Sequence, residues 1–432
     1  MLERPLIAAF ITLLSVNAEC VAQGEAAVPF LLISPYAESN AMGQSSVSTF
    51  TDDPLAALDN PAHLGMQSLR NYFSSGYNYN KLLPGFQQSD LWYRTFAFNA
   101  GINLKKLWGI EPELGIGAAY SRIRENLGDF IVTGPDPTPL GTYTAYETSD
   151  QYTLGIGINY WIKASAGITF KHIYSNLFPP GGGIQQMPAK NPTVDSYDYG
   201  FLFDVPIVEV ASRISQEPIM ISGHWAPLFN LRLGFAKNNL GNKGVTYFDL
   251  IQPDPLPRYA RIGIGFNLGV RYSDEKVDIQ PVSFKWTIEA NDILVRRYPA
   301  LIDSSSQMVL RDASWEYQTG LGDINFFDEV ILGRGNPQTI KKKGWELTFG
   351  GLFSLRGGRF EEDPNHGNRH FSTSGWGFRT SGITKWIGSE NVFGFILNHV
   401  DIRYDHSDLT TDEVDHPLSG TTFDSVQILV LN

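Results

Sequence analysis

Apolar and polar residues alternate with a period of two along most of this chain. Between Gln151 and Ile162 the even positions carry Tyr, Leu and Ile, whereas the odd positions are mostly Gly, Thr, Asn and Gln. Between Arg261 and Tyr272 every even position is again apolar, and the odd positions carry Gly, Asn and Arg. Because successive side chains of a strand point to opposite faces, each stretch predicts a strand with one apolar face and one polar or glycine-rich face.

Three features favour a closed barrel in a membrane over a soluble sandwich, which would alternate as well. The clean stretches run about ten to twelve residues, near the length that crosses a hydrocarbon core as tilted strands. Their apolar faces often end in Tyr or Trp, as the aromatic girdles of membrane proteins do. Their opposite faces carry Arg, Lys, Glu and Asn, which suit a wet lumen. The predicted fold class is all-β, a transmembrane antiparallel β-barrel.

The strand count predicts about fourteen strands, and an even number returns the C-terminus to the side from which the chain entered. The tenth strand, 305–316, keeps the count even. The predicted strands lie near 71–80, 91–104, 113–124, 151–162, 163–174, 196–206, 219–237, 259–272, 281–293, 305–316, 344–356, 373–386, 391–404 and 422–431.

This count also predicts which connections share a face of the membrane. The turns at 162–163 and 387–390 fall on one face, and so does the long segment 317–343. That segment contains Lys341–Lys343, and we expect a helix or a docking element there. The long loops on the other face are 125–150, 175–195, 238–258, 357–372 and 405–421.

Composition and charge narrow the class of protein further. Charged residues make up 18% of the chain, below the roughly 25% that is usual for soluble domains. The net charge of −12 argues against a nucleic-acid partner, because phosphates need a basic surface. The lipid of an outer membrane is the partner that the alternating strands predict. A single cysteine, Cys20, excludes an internal disulfide framework.

The N-terminus has the pattern of a secretory signal peptide over residues 1–22. Arg4 precedes an apolar core from Leu6 to Val16, and small residues suited to cleavage follow at Ala18 and Ala22. Export to the outer membrane is therefore expected. Two alternatives are a buried element of the mature fold and lipoprotein processing at Cys20, which the preceding glutamate disfavours.

The stretch from Pro29 to Met66 precedes the first predicted strand. Asp53 can cap a short helix that has Pro54 at its first position, where a missing N–H group is harmless. Asn60-Pro61 then favours an extended or turned exit. Local chemistry alone is compatible with a capped helix and turn on the rim of the barrel.

The same stretch resembles the N-terminal segment of the PorV/PorQ family, which is itself similar to the FadL-type transporters. Glu38 stands where an Arg is usual. Shorter similarities continue at 196–200, 238–241, 255–257, 344–346 and 355–358. The residues that carry the resemblance are Phe30-Leu31-Leu32-Ile33, Ala41-Met42-Gly43, Asp52-Asp53-Pro54 and Asn60-Pro61-Ala62-His63-Leu64.

The resemblance implies a fourteen-stranded outer-membrane barrel whose N-terminal segment folds into the lumen. On this interpretation residues 23–70 form a plug that includes Met42, Gly43, Asp52, Asp53, Pro54, Asn60 and Pro61, and residues 71–432 form the barrel. The resemblance also implies a part in type IX protein secretion or cargo handling at the cell surface, with secretion-system components or secreted cargo proteins as partners. The alternative is FadL-like transport of hydrophobic small molecules across the outer membrane.

Charged residues on the polar faces are the candidate residues of the lumen, where we expect a network that holds the plug. Glycines on the same faces either leave room for the plug or allow barrel curvature. The charged candidates are Arg232, Arg261, Arg271, Lys285, Glu289 and Glu346, and the glycines are Gly115, Gly117, Gly155, Gly157, Gly263, Gly265 and Gly269.

Motifs of catalysis are missing from the sequence. It has no Gly-x-Ser-x-Gly elbow, no P-loop and no HExxH. His366 and His370 with Asp363 lie in a Gly/Pro/Asn-rich stretch that disfavours a helical metal site. The acidic stretch 405–416 lacks the central glycine of an EF-hand. We therefore predict neither an enzyme nor a cofactor or metal site.

Overall fold

The computed structural model describes residues 26–84, 91–133, 138–179, 183–184, 187–241, 244–249, 252–274, 277–298, 301–302, 309–362, 369–382, 399–412 and 416–431. The predicted signal peptide, the turn at 387–390, residues 391–398 of the predicted strand 391–404, and both Asp363 and His366 lie outside these residues. Among the described residues, no helix is long and apolar enough to cross a membrane.

Fourteen antiparallel strands close into a barrel, as the sequence predicts. Each strand pairs with its neighbours in chain order, and the first pairs with the last from Tyr72↔Leu431 to Tyr79↔Asp424. The strands are β1 (Tyr72–Lys81), β2 (Trp92–Asn103), β3 (Glu113–Thr133), β4 (Pro139–Asn159), β5 (Lys163–Asn176), β6 (Thr193–Pro206), β7 (Trp225–Leu240), β8 (Tyr259–Ser273), β9 (Asp278–Ile293), β10 (Ile340–Phe349), β11 (Phe353–Glu361), β12 (His370–Arg379), β13 (Val400–Thr411) and β14 (Thr422–Leu431).

The outer surface of the barrel is apolar and the inner surface is polar. On β4, Leu154 and Ile156 point outward and are 61% and 48% exposed, whereas Gln151 and Thr153 between the outward positions are buried. A water-soluble protein would place these two faces the other way round. The barrel is therefore of the membrane-spanning kind, with an apolar band toward lipid.

The count of fourteen is correct, although two of its strands were assigned wrongly and the errors cancel. The described residues of the predicted strand 305–316, which are 309–316, form no barrel strand. Within the described part of this stretch, Val309–Arg311 pairs with Leu301–Ile302, and Ser314–Tyr317 pairs with Val295–Tyr298. These short hairpins belong to the loop between β9 and β10. Local alternation could not reveal this, because a hairpin in a loop alternates as a barrel strand does.

The predicted strand 344–356 is instead two strands, β10 and β11, joined by a tight turn at Gly350-Gly351. Phe349 pairs with Phe353 across the turn. Odd positions therefore face outward on both strands, from Trp345 to Leu355, and the period of two continues through the turn. The missed signal was the Gly-Gly pair, since both residues have positive φ (61° and 67°), which glycine adopts most readily.

These corrections change the side on which one connection lies. The loop 294–339 joins the same end of the barrel as the loops after β1, β3, β5, β7, β11 and β13, and Lys341–Lys343 belong to β10. We call this the long-loop end and the opposite one the short-turn end; in outer-membrane barrels these ends face the exterior and the periplasm. The predicted loop 125–150 is mostly strand, because β3 and β4 extend past the band as a ribbon.

Helices within the described ranges are few and short. Two lie before β1, α1 (Ala37–Ala41) and α2 (Ala62–Gln67), together with 3₁₀ turns at Pro29–Leu32 and Pro54–Leu58. At the short-turn end lie α3 (Leu104–Trp108) and α4 (Ile207–Ser215). A π-helical turn, Phe327–Ile331, lies in the loop 294–339.

The described residues before β1, 26–71, lie within the barrel and are called the N-terminal segment below. The segment starts at the long-loop end, where the Ala27 amide donates to the Pro255 carbonyl (2.9 Å). It then passes α1 beside β12–β14 and α2 beside β3–β5. It finally enters β1 at the short-turn end. The segment therefore runs along the whole lumen.

Candidate functional site

The lumen is the candidate site, and its first feature is backbone contact between α2 and the barrel wall. A Cβ atom added at Gly155 would lie 2.5 Å from the Gly65 nitrogen, and one at Gly157 would lie 2.2 Å from the Gly65 oxygen. At Gly115 it would lie 2.3 Å from the Ser68 oxygen. Glycine on both surfaces allows this approach.

The inward glycines of β8 divide between the two explanations given above. At Gly265 an added Cβ would lie 2.9 Å from the Ser48 oxygen of the N-terminal segment, and at Gly263 it would meet both Ile288 of the neighbouring strand (2.7 Å) and Val47 of the segment (2.9 Å). At Gly269 it would contact only the neighbouring strand, at Val282 and Ser283. Room for the segment therefore explains six of the seven glycines, with Gly269 the exception.

Met42 and Gly43 lie in a second close contact, against β10, β11 and β12. A Cβ at Gly358 would lie 2.1 Å from the Gly43 nitrogen, and one at Gly344 would lie 2.4 Å from the Met42 oxygen. Thr373 accepts from the Gly43 amide (2.8 Å) and donates to the Ala41 carbonyl. Gly43 has φ +66°, so any other residue there would strain the backbone and collide with β10 and β11.

Glu289 and Arg261 hold the middle of the N-terminal segment. The buried Glu289 carboxylate accepts from the amides of Ser46 (2.7 Å) and Val47 (2.8 Å). Arg261 pairs with Asp59 (2.8 Å) and donates to the Ser46 hydroxyl. Charge-assisted bonds of this kind are among the stronger hydrogen bonds in proteins.

His63 adds a neutral contact to the same region. Burial, and then Arg232, lower the pKa of His63 to about 4. The ring is therefore uncharged at neutral pH, and its Nε2 lies 3.0 Å from the Ser46 carbonyl oxygen.

The remaining charged candidates lie nearer the short-turn end. Arg232 pairs with Asp204 and donates to the Thr49 carbonyl, both at 2.7 Å. Lys285 pairs with Glu346 (2.6 Å) and donates to the Phe50 carbonyl (2.7 Å). Arg271 differs, because it pairs with Asp278 and is about half exposed at the mouth of the barrel.

The other residues predicted for the plug lie mostly in two turns, at Asp53-Pro54 and at Asn60-Pro61, which their side chains stabilise. The Leu55 amide donates to the Asp53 side chain (2.8 Å), with Pro54 at the first position of the 3₁₀ turn. Asn60 accepts from the Ala62 amide and donates to the Val47 carbonyl (2.9 Å), with Pro61 between. Asp52 lies near Arg70 (3.3 Å) and Arg379 (3.6 Å).

A buried cluster of charges around Glu38 was missed by the sequence analysis. Glu38 pairs with Arg403 of β13 (2.9 Å) and accepts from the Thr51 hydroxyl (2.6 Å). Gln427 of β14 donates to Asp53 (2.7 Å). The departure from the family pattern at Glu38 was the only signal, and it did not indicate a partner 365 residues away.

This cluster has one more carboxylate than cations. Glu38, Asp53 and Asp405 approach one another within 4.8 Å, and burial, opposed by Arg403 and reinforced by Glu38, raises the pKa of Asp53 to about 7. A proton on Asp53 therefore balances the charge near neutral pH. The carboxylates are Glu38, Asp53, Asp405 and Glu346, and the cations are Arg356, Arg403 and Lys285.

The long-loop half of the lumen holds two apolar clusters, beside buried polar contacts such as the Lys171–Asp198 ion pair (2.7 Å) and the Ser175–Glu147 hydrogen bond. Val28, Phe30 and Leu31 of the N-terminal segment pack against loop residues Leu82 and Leu256. A second cluster joins Leu32 and Ile33 to inward side chains of the strand ends, where Phe360 and Phe371 stack at 4.5 Å. A gap of about 10 Å³ lies beside Leu32, lined also by Gln44, Tyr259, Ile293, Ile340, Phe360 and Arg369.

The short-turn half is a charged, open cavity of about 890 Å³. The N-terminal segment forms its inner end through residues 50–52 and 66–70. Lysine, arginine, aspartate and glutamate side chains line its wall, among them Lys163, Asp204, Arg232, Arg271, Lys285, Glu346 and Arg379. The long-loop half of the lumen is therefore filled and contains apolar clusters, whereas the short-turn half is an open cavity lined by charged residues.

The fold and the lumen define the class: a membrane-spanning β-barrel of the outer-membrane type, filled by its own N-terminal segment. No family model matches the chain, and no curated protein matches it. The PorV/PorQ resemblance therefore stays a prediction.

Solved structures of similar architecture include a Pseudomonas aeruginosa FadL homologue, at 12% identity and TM-score 0.39, covering 92% of this chain and 98% of that one. Another is the Pseudomonas putida toluene transporter TodX, at 9% identity and TM-score 0.40, covering 93% and 98%. A third is the Acinetobacter baumannii outer membrane protein Omp33, at 6% identity and TM-score 0.32, covering 85% and 100%.

Proposed function

We propose that this protein is a plugged outer-membrane channel that takes up hydrophobic small molecules. The observation that carries the proposal is the apolar cluster of inward side chains around Leu32 and Ile33 at the long-loop end of the lumen. Channels for polar solutes have a polar interior, whereas here Tyr259, Ile293, Ile340, Phe360 and Phe371 point inward at the end where a solute arrives. The toluene transporter named above handles a solute of this kind, but the proposal depends on the lumen and not on that likeness.

The N-terminal segment acts as the plug in this proposal, and its first part acts as the gate. Residues 27–33 pack into the two apolar clusters of the long-loop half through apolar contacts and a few backbone hydrogen bonds. Buried ion pairs begin only at Glu38. A hydrophobic ligand can take over the contacts of Leu32 and Ile33, since burying apolar surface gains about 25 cal/mol per Å². The part from Glu38 onward stays docked.

Equilibrium binding of toluene and of laurate to the purified barrel tests the proposal. We expect binding to the native protein and at least tenfold weaker binding by Phe360→Asp, which puts a charge in the apolar cluster. The matched control is Leu140→Asp, at a 72% exposed position in the ribbon of β3 and β4 beyond the apolar band. Native protein that binds neither probe and transports neither into vesicles would exclude the proposal, provided that its mobility on a gel still changes on heating.

A second candidate function is type IX protein secretion, which the sequence resemblance implies. The observation that favours it is the loop 294–339, which holds its own hairpin, Val295–Tyr298 with Ser314–Tyr317, and exceeds what joining two strands requires. Such a loop would contact secretion components or cargo. Deleting the gene should then block export of cargo proteins, and unchanged export would remove this candidate without affecting the first.

A further inference from the structure

Several outward positions at the long-loop end of β8 and β9 are buried, unlike the rest of the apolar band. Ala260, Ile288 and Ala290 are at most 2% exposed, whereas Leu268 and Ile402 are 44% and 47% exposed. These three side chains point out of the barrel because they alternate with inward residues that contact the N-terminal segment. Some other part of the chain must therefore cover the outer wall here.

The cover is residues 320–335 of the loop between β9 and β10, which we call the flap. Its Ile324 and Val330 pack with Ile288 and Ala290 in one apolar cluster. A Cβ on Gly333 would lie 3.9 Å from the Ile288 side chain. The loop thus folds back over the outside of the barrel.

Two outward-facing charged residues are also covered by the flap. The Asp292 carboxylate accepts from the Asp323 amide (2.6 Å), and the Lys341 ammonium group donates to the Gly333 carbonyl. A charge on the lipid face of a barrel is destabilising unless it is covered or paired. The flap supplies partners to both charges.

The height of the flap follows from the neighbouring strand. Tyr272 packs edge to face against Trp225 (ring centroids 5.0 Å apart) at the short-turn end of the band, where interfacial aromatic residues lie. Ile262 is ten residues from Tyr272 along β8. Because the strands are tilted, these ten residues span about 25 Å of height, which is about the height of the apolar band. Ile264, which pairs with Ile288, is therefore within the band, and the flap covers the band's upper edge.

The flap is built as a segment that faces lipid. Its buried carboxylate, Glu329, accepts from the Asn325 amide (2.7 Å), the Asn336 amide group (3.1 Å) and the Thr339 hydroxyl. Polar groups in a bilayer need such internal partners. In contrast, its apolar side chains Phe327, Ile331 and Leu332 are 62%, 47% and 46% exposed.

We propose that Phe327, Ile331 and Leu332 of the flap insert among the acyl chains of the membrane leaflet at the long-loop end. The lipid is the occupant because this patch continues the lipid-facing band at the same height. The Asp328–Arg334 ion pair (3.0 Å), with Arg334 69% exposed, marks the side of the flap toward the headgroups. The loop between β9 and β10 therefore widens the lipid-contacting surface of the barrel.

Site-directed spin labelling tests the insertion in a Cys20→Ala background. Single cysteines at Phe327 and Ile331 carry a nitroxide, and the protein is reconstituted in vesicles of phosphatidylethanolamine and phosphatidylglycerol. Collision rates with oxygen, which concentrates in lipid, and with nickel-EDDA, which stays in water, are compared. Ile402→Cys on the apolar band is the lipid control, and Glu316→Cys on the loop hairpin is the water control.

We expect the ratio of oxygen to nickel collisions at positions 327 and 331 to match that at 402 and to exceed that at 316 several-fold. A ratio equal to that at 316 would overturn the proposal. Low rates with both reagents would also overturn it, because they would indicate a protein partner or a second copy over the patch. Heat-dependent gel mobility verifies that each labelled barrel is folded.

A second variant keeps the proposal testable if a label displaces the flap. Phe327→Ser with Ile331→Ser removes the inserted side chains and leaves Ile324 and Val330 on the wall. In vesicles, flap amides should then exchange hydrogen at least tenfold faster than in the native protein. Equal exchange rates in native and variant protein would contradict insertion.

Discussion

The Glu38 carboxylate lies 2.9 Å from the Arg403 guanidinium, and both side chains are buried inside the barrel. This pair joins the N-terminal segment to β13. Arg403 also lies 3.6 Å from Asp405, so one cation serves two carboxylates.

Replacing Arg403 by Met should loosen the N-terminal segment. The change leaves Glu38 buried without its cation, and breaking a buried pair in this way costs about 3–5 kcal/mol. We expect faster trypsin cleavage within the segment and a lower urea midpoint of unfolding. The matched control is Arg359→Met, which removes the pair with Asp412 on the outer surface and should cost at most about 1 kcal/mol. Equal effects of the two substitutions would contradict the assigned role.

Docking of the segment should weaken as the pH rises from about 6 to 8. The pKa of Asp53 in the folded protein is raised to about 7 from its ordinary 3.8, chiefly by burial. A raised carboxyl pKa means that the docked state holds its proton more tightly. The stabilisation is therefore complete below pH 3.8 and is lost as the pH passes through 7.

Hydrogen exchange of residues 34–60 as a function of pH measures this dependence. Asp53→Asn imitates the protonated form and should remove the dependence on pH between 6 and 8. Asp412→Asn, at an exposed position, should leave it unchanged. A native protein whose corrected exchange rates do not vary over this window would refute the titration of Asp53.

A side chain at Gly155 should displace α2 from the wall. In Gly155→Val the new atoms would meet the Gly65 backbone, and overpacking of this kind costs about 1–3 kcal/mol. We expect increased ion conductance in planar bilayers, because the segment no longer fills the lumen beside β4. Gly141→Val is the control on the same strand, since a Cβ there has open space around it. Conductance that is the same in both variants would argue against plugging by α2.

Two substitutions of Glu289 separate its charge from its hydrogen bonding. Glu289→Ala leaves the amides of Ser46 and Val47 without an acceptor, at about 1–3 kcal/mol for each buried group. Glu289→Gln keeps an acceptor oxygen and loses only the charge, so its effect on the urea midpoint should be smaller. If the two variants behave alike, the bonds to Ser46 and Val47 do not hold the segment.

Much of the barrel could be predicted because its main rule is local. Successive residues of a strand face lipid and lumen in turn, so apolar and polar residues alternate within each strand, as between Arg261 and Tyr272. The turn between β10 and β11 was missed for the same reason. Odd positions keep facing outward across it, and alternation alone does not mark where one strand ends.

For the interior of the lumen, the sequence predicted which residues face inward but not which of them contact one another. Inner-face glycines left two explanations open, and the close approach of Gly65 to Gly155 decided between them at that position. Arg271 resembles Arg261 in sequence, yet it pairs with Asp278 at the mouth. Strand parity places both on the inner face, but it does not say how deep the N-terminal segment reaches.

The sequence by itself determined that this chain forms an antiparallel membrane β-barrel, because alternation and strand length are properties of neighbouring residues. The structure was needed to place two of the fourteen strands, since two errors of assignment cancelled in the count. Only the tertiary structure decided which residues meet within the lumen and that the loop after β9 covers the outer wall. Glu38 meets Arg403 only when the barrel closes around the N-terminal segment, and Ile288 meets Val330 only when the loop folds back over β9. Both contacts join residues that are far apart in the sequence, so no local pattern encodes them.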